Sequence, residues 1–291
     1  MSNKNNLELL KHYLKDSEKH MSSYGKHHLL KSNYESIENE MNSGTFVKLD
    51  KSKIIKYYLS IPFQLLIFRE KIFFNDFIKS YKHLCKKQSR LFNIDLIIHS
   101  IFLNLLKKRE ILQKNICVIG DGKANFLHGV LNLKYVTKIY SVNLAEALIQ
   151  DFLILKKFHS INEDLIKVVE KKEDLLDQNC KVFLIPAQNK NLLRNSNINL
   201  FVNTFSFQEM PLTETHNYID IIKSNNAHLY SLNREEKKMY DGTVIKQTDY
   251  GLNRGKIIFE KDAKFVKYFY NSKFPFVHKK KSKVISTLVK F

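Results

Sequence analysis

The stretch Cys117-Val118-Ile119-Gly120-Asp121-Gly122-Lys123-Ala124-Asn125-Phe126, CVIGDGKANF, decides how this 291-residue chain is read. It holds two of only 8 glycines, one residue apart, directly after the apolar run ICVI. An apolar run that ends in Gly-x-Gly and passes into a helical pattern predicts strand, tight turn and helix. Glycine lets the backbone turn sharply there and lets a ligand approach where a Cβ would otherwise stand.

Working outward, the rhythm after residue 115 is regular. The apolar runs ICVIG (116–120), KIYSVNL (138–144), KVFLIPA (181–187), INLFVNTFS (198–206) and AHLYSLN (227–233) alternate with the helical segments ANFLHGVLNL, AEALIQDFLILKKF and TETHNYIDIIKSNN. Such alternation predicts a parallel sheet covered on both faces. DGTVIKQTDY and GKIIFEKD, after residue 240, read as a hairpin closing the sheet edge. Upstream the chain reads as helix. NLELLKHYLKDSEKHM sets Leu7, Leu10, Leu14 and His20 on a 3.6-residue period, and FFNDFIKSYKHLCKK does the same with Phe74, Phe77, Tyr81 and Leu84. IDLIIHSIFLNLLKKRE is an apolar helix with a basic end. Residues 22–53 are polar and weakly patterned, a loop or short helices. The expected fold is α/β: a Rossmann-like parallel sheet with an antiparallel edge hairpin over 111–291, preceded by an α-helical cap or lid over 1–110.

Composition narrows the class. With 44% hydrophobic and 26% charged residues the chain buries a real core. Its formal charge of +19 raises a nucleic-acid or anionic-membrane surface. The lysines are spread along the chain, however, which favours solvated faces. The exception is HKKKSKVISTLVKF (278–291), read as a solvated terminus or else as a membrane-surface or anion-binding tail. Cys85, Cys117 and Cys180 are far apart, with no zinc or disulfide spacing, as in a reducing cytosol. The amino terminus lacks the apolar core of a signal peptide, and no apolar run is long enough to span a bilayer. A cytoplasmic protein, with a peripheral position at the inner membrane as the variant, is expected.

In an open α/β sheet, ligands sit beyond the carboxyl ends of the strands, near the switch in strand order. Gly120, Asp121 and Gly122 are therefore candidate ligand contacts. Asn143, 23 residues after Gly120, ends the second strand, where a polar residue can bond ribose hydroxyls; an Asn there equally caps the following helix. The third glycine of Gly-x-Gly-x-x-Gly is missing, since Asn125 holds its place, and this leans toward S-adenosylmethionine over a pyrophosphate-bearing dinucleotide.

ICVIGDGKANF, VNLAEAL, LFVNTFSFQEMP and LYSLNREEKKMYDGTVIKQTDY, in this order, resemble the sugar O-methyltransferase family, S-adenosylmethionine-dependent enzymes of class I Rossmann-like fold found near bacterial polysaccharide synthesis. NTFSFQEM is the most specific piece and NREEK…DGT the next. The resemblance covers residues 115 to about 250; the N-terminal helices match only in character. It implies a sugar hydroxyl, a sugar nucleotide or a glycan as acceptor and no metal. Val118, Ala124 and Asn143 depart from the wider methyltransferase pattern, at the first-strand acid, the third glycine of the turn and the ribose-binding acid.

The resemblance implies that residues past the fourth predicted strand face cofactor and acceptor. Glu209 is then the base for the hydroxyl proton, its carboxylate raised in pKa beside Phe205, Phe207 and Met210, or else a carboxylate stabilising a helix start. Ser206 and Gln208 orient the reactants, and Asn203 meets the cofactor. Asn233, Arg234 and Glu235 reach the acceptor, with Arg234 able to grip an anionic sugar. His159 and His216 are isolated alternative bases. Tyr57, Tyr58, Phe63 and Phe68 are read as core or as sugar-stacking surfaces. Two other functions stay open: a nucleic-acid methyltransferase, favoured by charge, and a catalytically inactive binding protein of this fold, favoured by the three departures.

Overall fold

A computed structural model of the chain describes residues 5–14, 51–73, 75–88, 92, 94–131, 133–159, 161–239, 241–270, 273–274, 277–279 and 282–291. His20, Phe74 and most of 22–53 lie outside these residues.

The predicted N-terminal helices appear as α1 (Asn6–Leu14), α2 (Lys51–Phe73), α3 (Phe77–Lys87) and α4 (Ile94–Lys108). Helix α3 buries Phe77, Ile78, Tyr81, Leu84 and Cys85, the face its 3.6-residue period predicts. Helix α4 buries residues around most of its circumference, because it lies between the sheet and the helices outside it.

The glycine stretch folds as expected. Strand β1 (Asn115–Ile119) leads through a single tight turn (Gly122–Ala124) into α5 (Asn125–Leu131). Then follow β2 (Lys138–Asn143), α6 (Ala145–His159), β3 (Ile166–Val168), β4 (Val182–Pro186), β5 (Leu200–Thr204), α7 (Leu212–Ser224) and β6 (His228–Arg234). The carboxyl-terminal part holds β7 (Glu236–Lys238), β8 (Val244–Lys246), β9 (Lys256–Asp262), β10 (Tyr268–Tyr270), β11 (Val277–Lys279) and β12 (Val284–Lys290).

Eight strands form one sheet in the order β3-β4-β2-β1-β5-β6-β12-β9, with β12 antiparallel to both neighbours. Order reverses at β1, between β2 and β5, so the connections that leave β1 and β5 pass to opposite faces of the sheet. Side-chain alternation splits each central strand between two cores. Ile116, Val118, Val202 and Leu232 pack under α3–α6, and Cys117, Ile119, Phe201 and Leu229 pack under α7.

Three expectations are corrected. The antiparallel edge is present, but β9 forms it with β12 rather than with β8, which pairs with β7 in a small separate sheet. The carboxyl terminus is not a solvated tail. Its VISTLV run is β12, buried between β6 and β9, since a strand flanked on both sides needs apolar residues on both faces. The short β3 was not expected. It is an outer edge strand, and Asn6 covers it: the Asn6 amide donates to Ile166 O at 2.9 Å and accepts from Val168 N at 3.0 Å.

Candidate active site at the carboxyl ends of the strands

The turn after β1 is built on left-handed residues, and its two glycines meet different surroundings. Gly120 has φ +74°, and a Cβ added there would stand 2.5 Å from both Cβ and Oγ of Ser206. The close approach that glycine permits is thus made by Ser206, a correction to the expectation that a ligand lies over both glycines. Gly122 is exposed, and a Cβ on it would meet nothing within 4 Å. Lys123 and Ala124 also take positive φ, 60° and 50°. Ala124, at the place the third glycine holds in the wider family, carries backbone strain a glycine would avoid.

Asp121 was expected to face the ligand. Its carboxylate instead turns inward, 1% exposed, and caps α5 by accepting from Phe126 N at 2.9 Å and Leu127 N at 2.8 Å. Beneath it Asp151, fully buried on α6, accepts from Ala124 N at 2.7 Å and meets Ser141 Oγ at 3.3 Å. Burial pushes Asp121 up to about 7. Burial and then the neighbouring Asp121 push Asp151 well above the carboxylate range. The pair therefore holds a proton at neutral pH, because two carboxylates in one dry site cannot both ionise cheaply. Asn143 is half-buried at the end of β2. Its amide donates to Asp121 O at 3.1 Å, and its oxygen accepts from Leu144 N at 3.0 Å, as a helix-capping Asn would. Each of its polar groups keeps a second bonding capacity.

The loop after β5 closes against this turn. Asn203 is fully buried, and all its bonds are internal: it donates to Ile119 O at 3.2 Å and to Ser206 Oγ, and accepts from Phe207 N at 3.2 Å and Asn233 Nδ2 at 2.9 Å. Ser206 Oγ donates to Ile119 O at 2.8 Å. Gln208, 2% exposed, accepts from Arg234 N at 2.9 Å. These three residues tie the ends of β1, β5 and β6 together. Phe205 bends the loop through φ 64°, a conformation that is costly for an aromatic residue and is held by the surrounding bonds.

Glu209 stands at the rim. Its Oε1 pairs with Lys237 Nζ at 2.8 Å, and the side chain is 33% exposed. The apolar enclosure expected from Phe205, Phe207 and Met210 is thus replaced by an ammonium partner on β7. Glu235 is exposed and lies 3.8 Å from Lys283. The alternative histidines are engaged elsewhere. His216 Nε2 lies 2.7 Å from Asp249 O, and His159 Nε2 lies 3.2 Å from His128 Nδ1. Burial and the Lys87 charge pull His159 down to about 4.

At the exit of β6 the bonding is incomplete. Among the described residues, three buried polar atoms here have no hydrogen-bond partner: Asn233 Oδ1, Arg234 Nε and Tyr250 OH. Asn233 and Tyr250 are fully buried, and Tyr250 packs 5.8 Å from Phe207 with its hydroxyl raised in pKa by burial and then by Asp249 and Glu209. A buried polar atom without a partner costs about 1–3 kcal/mol; Asn233 shares its face of β6 with Ser231, and Arg234 points to the opposite face. Tyr250 was not picked out in the sequence, where it is one of 14 tyrosines in a polar segment. No group of three or more His, Cys, Asp or Glu suited to a metal occurs among the described residues.

No protein-family model matches the chain, and no curated protein does. Among solved structures it is similar to a SAM-dependent methyltransferase from Aquifex aeolicus, at 13% identity over 64% of this chain and 88% of the other, with a TM-score of 0.41. The methyltransferase domain of the bacterial protein CtHen1 matches at 10% identity over 68% of this chain and 100% of its own, with a TM-score of 0.43. TrmK of M. capricolum, solved with S-adenosylhomocysteine, matches at 12% identity over 65% and 67%, with a TM-score of 0.36. At such identities the likeness carries no inference about activity.

Proposed function

We propose that the chain is an S-adenosylmethionine-dependent O-methyltransferase whose acceptor is a sugar hydroxyl. One observation carries the reading: at the switch in strand order the Asn203–Met210 loop closes on the turn after β1 through Ser206 Oγ and Ile119 O, and the Asn203 side chain ties that loop to Asn233 near the end of β6. The residues present fit the cofactor, since a Cβ at Gly122 would fill open space and Asn143 retains bonding capacity at the end of β2. Gly122 and Asn143 would hold it, and it supplies an electrophilic methyl group.

The remaining chemistry belongs to this chain. A sugar hydroxyl needs alignment and a base. Glu209 Oε2, the oxygen outside the Lys237 ion pair, takes the hydroxyl proton. The guanidinium of Arg234 and the buried Asn233 Oδ1 and Tyr250 hydroxyl hold the acceptor, the guanidinium favouring an anionic sugar or sugar nucleotide. Asn203, Ser206 and Gln208 fix the frame.

Calorimetric titration with S-adenosylhomocysteine tests the cofactor; absence of binding would leave the inactive binding protein as the reading. Mass spectrometry across a panel of sugars and sugar nucleotides tests the acceptor, with gain of one methyl group expected and a fall of about 100-fold or more in Glu209→Gln. The charge of +19 is the observation that favours a nucleic-acid acceptor instead. Methyl transfer to RNA, with none to any sugar, would establish that alternative.

A further inference from the structure

Helix α2 exposes apolar residues on its outer side while Phe68 enters the core on its inner side. Its inward side carries polar residues bonded to one another: Gln64 Nε2 donates to Ser60 Oγ at 2.7 Å, Ser60 Oγ donates to Tyr57 O at 2.6 Å, and the Tyr57 hydroxyl donates to Phe92 O. Ser60 is 0% and Gln64 4% exposed. Its outward side carries apolar residues, with Ile55 60%, Tyr58 61%, Leu59 54% and Leu66 81% exposed. At 100° per residue these four and Pro62 fall within an arc of about 100°, along about 16 Å of helix. Phe63 extends the patch sideways, because its ring meets Phe274 edge-on at 5.9 Å, and Phe274 is itself 75% exposed. Phe274 lies between β10 and β11, and α2 packs on that hairpin, with Phe68 meeting Tyr268 at 6.1 Å.

The surroundings of the patch are basic. Between the end of β10 and the end of β11 the sequence carries Lys273 and Lys279 and no Asp or Glu, Lys280 and Lys281 follow, and α2 opens on Lys51-Ser52-Lys53 with Lys56 one turn on. The apolar stripe and the lysine-rich hairpin meet side by side. Exposed Ile and Leu gain from hydrocarbon and gain little from a nucleic acid, whereas lysines around them gain from anionic headgroups. No helix among the described residues is long and apolar enough to cross a membrane.

We infer that the outer face of α2, with the β10–β11 hairpin, is a docking surface for an anionic lipid bilayer. Ile55, Leu59, Leu66 and Phe274 enter the headgroup–acyl boundary, and Lys56 and the lysines of the hairpin lie at the headgroups. The inference uses none of the proposed catalytic residues, so it holds or fails independently of the methyl-transfer reading.

Co-sedimentation of the full chain with phosphatidylcholine vesicles, with and without phosphatidylglycerol, tests it. Binding is expected only with phosphatidylglycerol, and weakening with added salt. The double variant Leu59→Glu, Leu66→Glu is expected to lose at least about tenfold in partitioning while keeping its circular dichroism spectrum. The chain has no tryptophan, so Phe274→Trp installs a single fluorophore whose emission should shift to the blue on those vesicles. Equal binding to both vesicle types, no binding to either, unchanged binding of the double variant, or emission from the Phe274→Trp variant that is indifferent to vesicles overturns the inference. So does tight binding of a single-stranded RNA oligonucleotide that the double variant retains while vesicles fail, which would make the surface a polyanion site.

Discussion

The β1–β5 side and the β6 side of the switch in strand order differ in how their polar atoms are satisfied. On the β1–β5 side, Asn203 makes four bonds, Ser206 fills the space above Gly120, and Asp121 caps a helix. On the β6 side, Asn233, Arg234 and Tyr250 each leave a buried polar atom unpartnered among the described residues. A saturated side is a scaffold, and an unsaturated one is receptive. The most motif-like residues of the sequence thus hold the frame, and the groups left for a ligand lie just beyond it.

The strongest way to break that contrast is to disturb the saturated side. Gly120→Ala forces a side chain into a left-handed conformation and against Ser206, and should cost about 3–5 kcal/mol in urea unfolding. Adding Ser206→Gly removes the clash, so the double variant should lose about 2 kcal/mol less than the sum of the singles. On the receptive side, Arg234→Ala should leave unfolding nearly unchanged while raising KM for an anionic acceptor by about 10–100-fold, with kcat less affected, and Arg234→Lys should restore part of it. An equal fall in kcat and stability would place Arg234 in the scaffold.

The buried Asp121–Asp151 pair sharpens the comparison through pH. Both carboxyls keep their protons to higher pH in the folded chain than in the unfolded one. The folded state then binds more protons from about pH 4 upward. The stability this provides is whole below about pH 4 and falls as pH rises, the Asp121 share being lost through about 7. Asp151→Asn can still accept from Ala124 N and donate to Ser141 Oγ, so it should flatten that slope and gain about 1–2 kcal/mol at mildly alkaline pH. The smallest effect belongs to Ala124→Gly. Relief of positive φ, worth about 1 kcal/mol, nearly cancels the lost burial of one methyl group, so unfolding should change by less than about 0.5 kcal/mol.

The sequence by itself determined the alternation of strands and helices from residue 115 onward, the glycine turn after β1 and the apolar face of α3. Each is a local matter: a run of apolar residues with a period of two or 3.6, closed by a residue that permits the turn. Tertiary structure alone decided that β12 rather than a hairpin completes the sheet, that Ser206 rather than a ligand meets Gly120, and that Asp121 turns inward. It also decided that α2 leaves Ile55, Tyr58, Leu59 and Leu66 exposed. These outcomes depend on which distant segments arrive at one place, and periodicity carries no record of that. A polar residue looks the same in sequence whether its partner is a ligand, a helix end or a strand 84 residues away, as Ile119 is from Asn203.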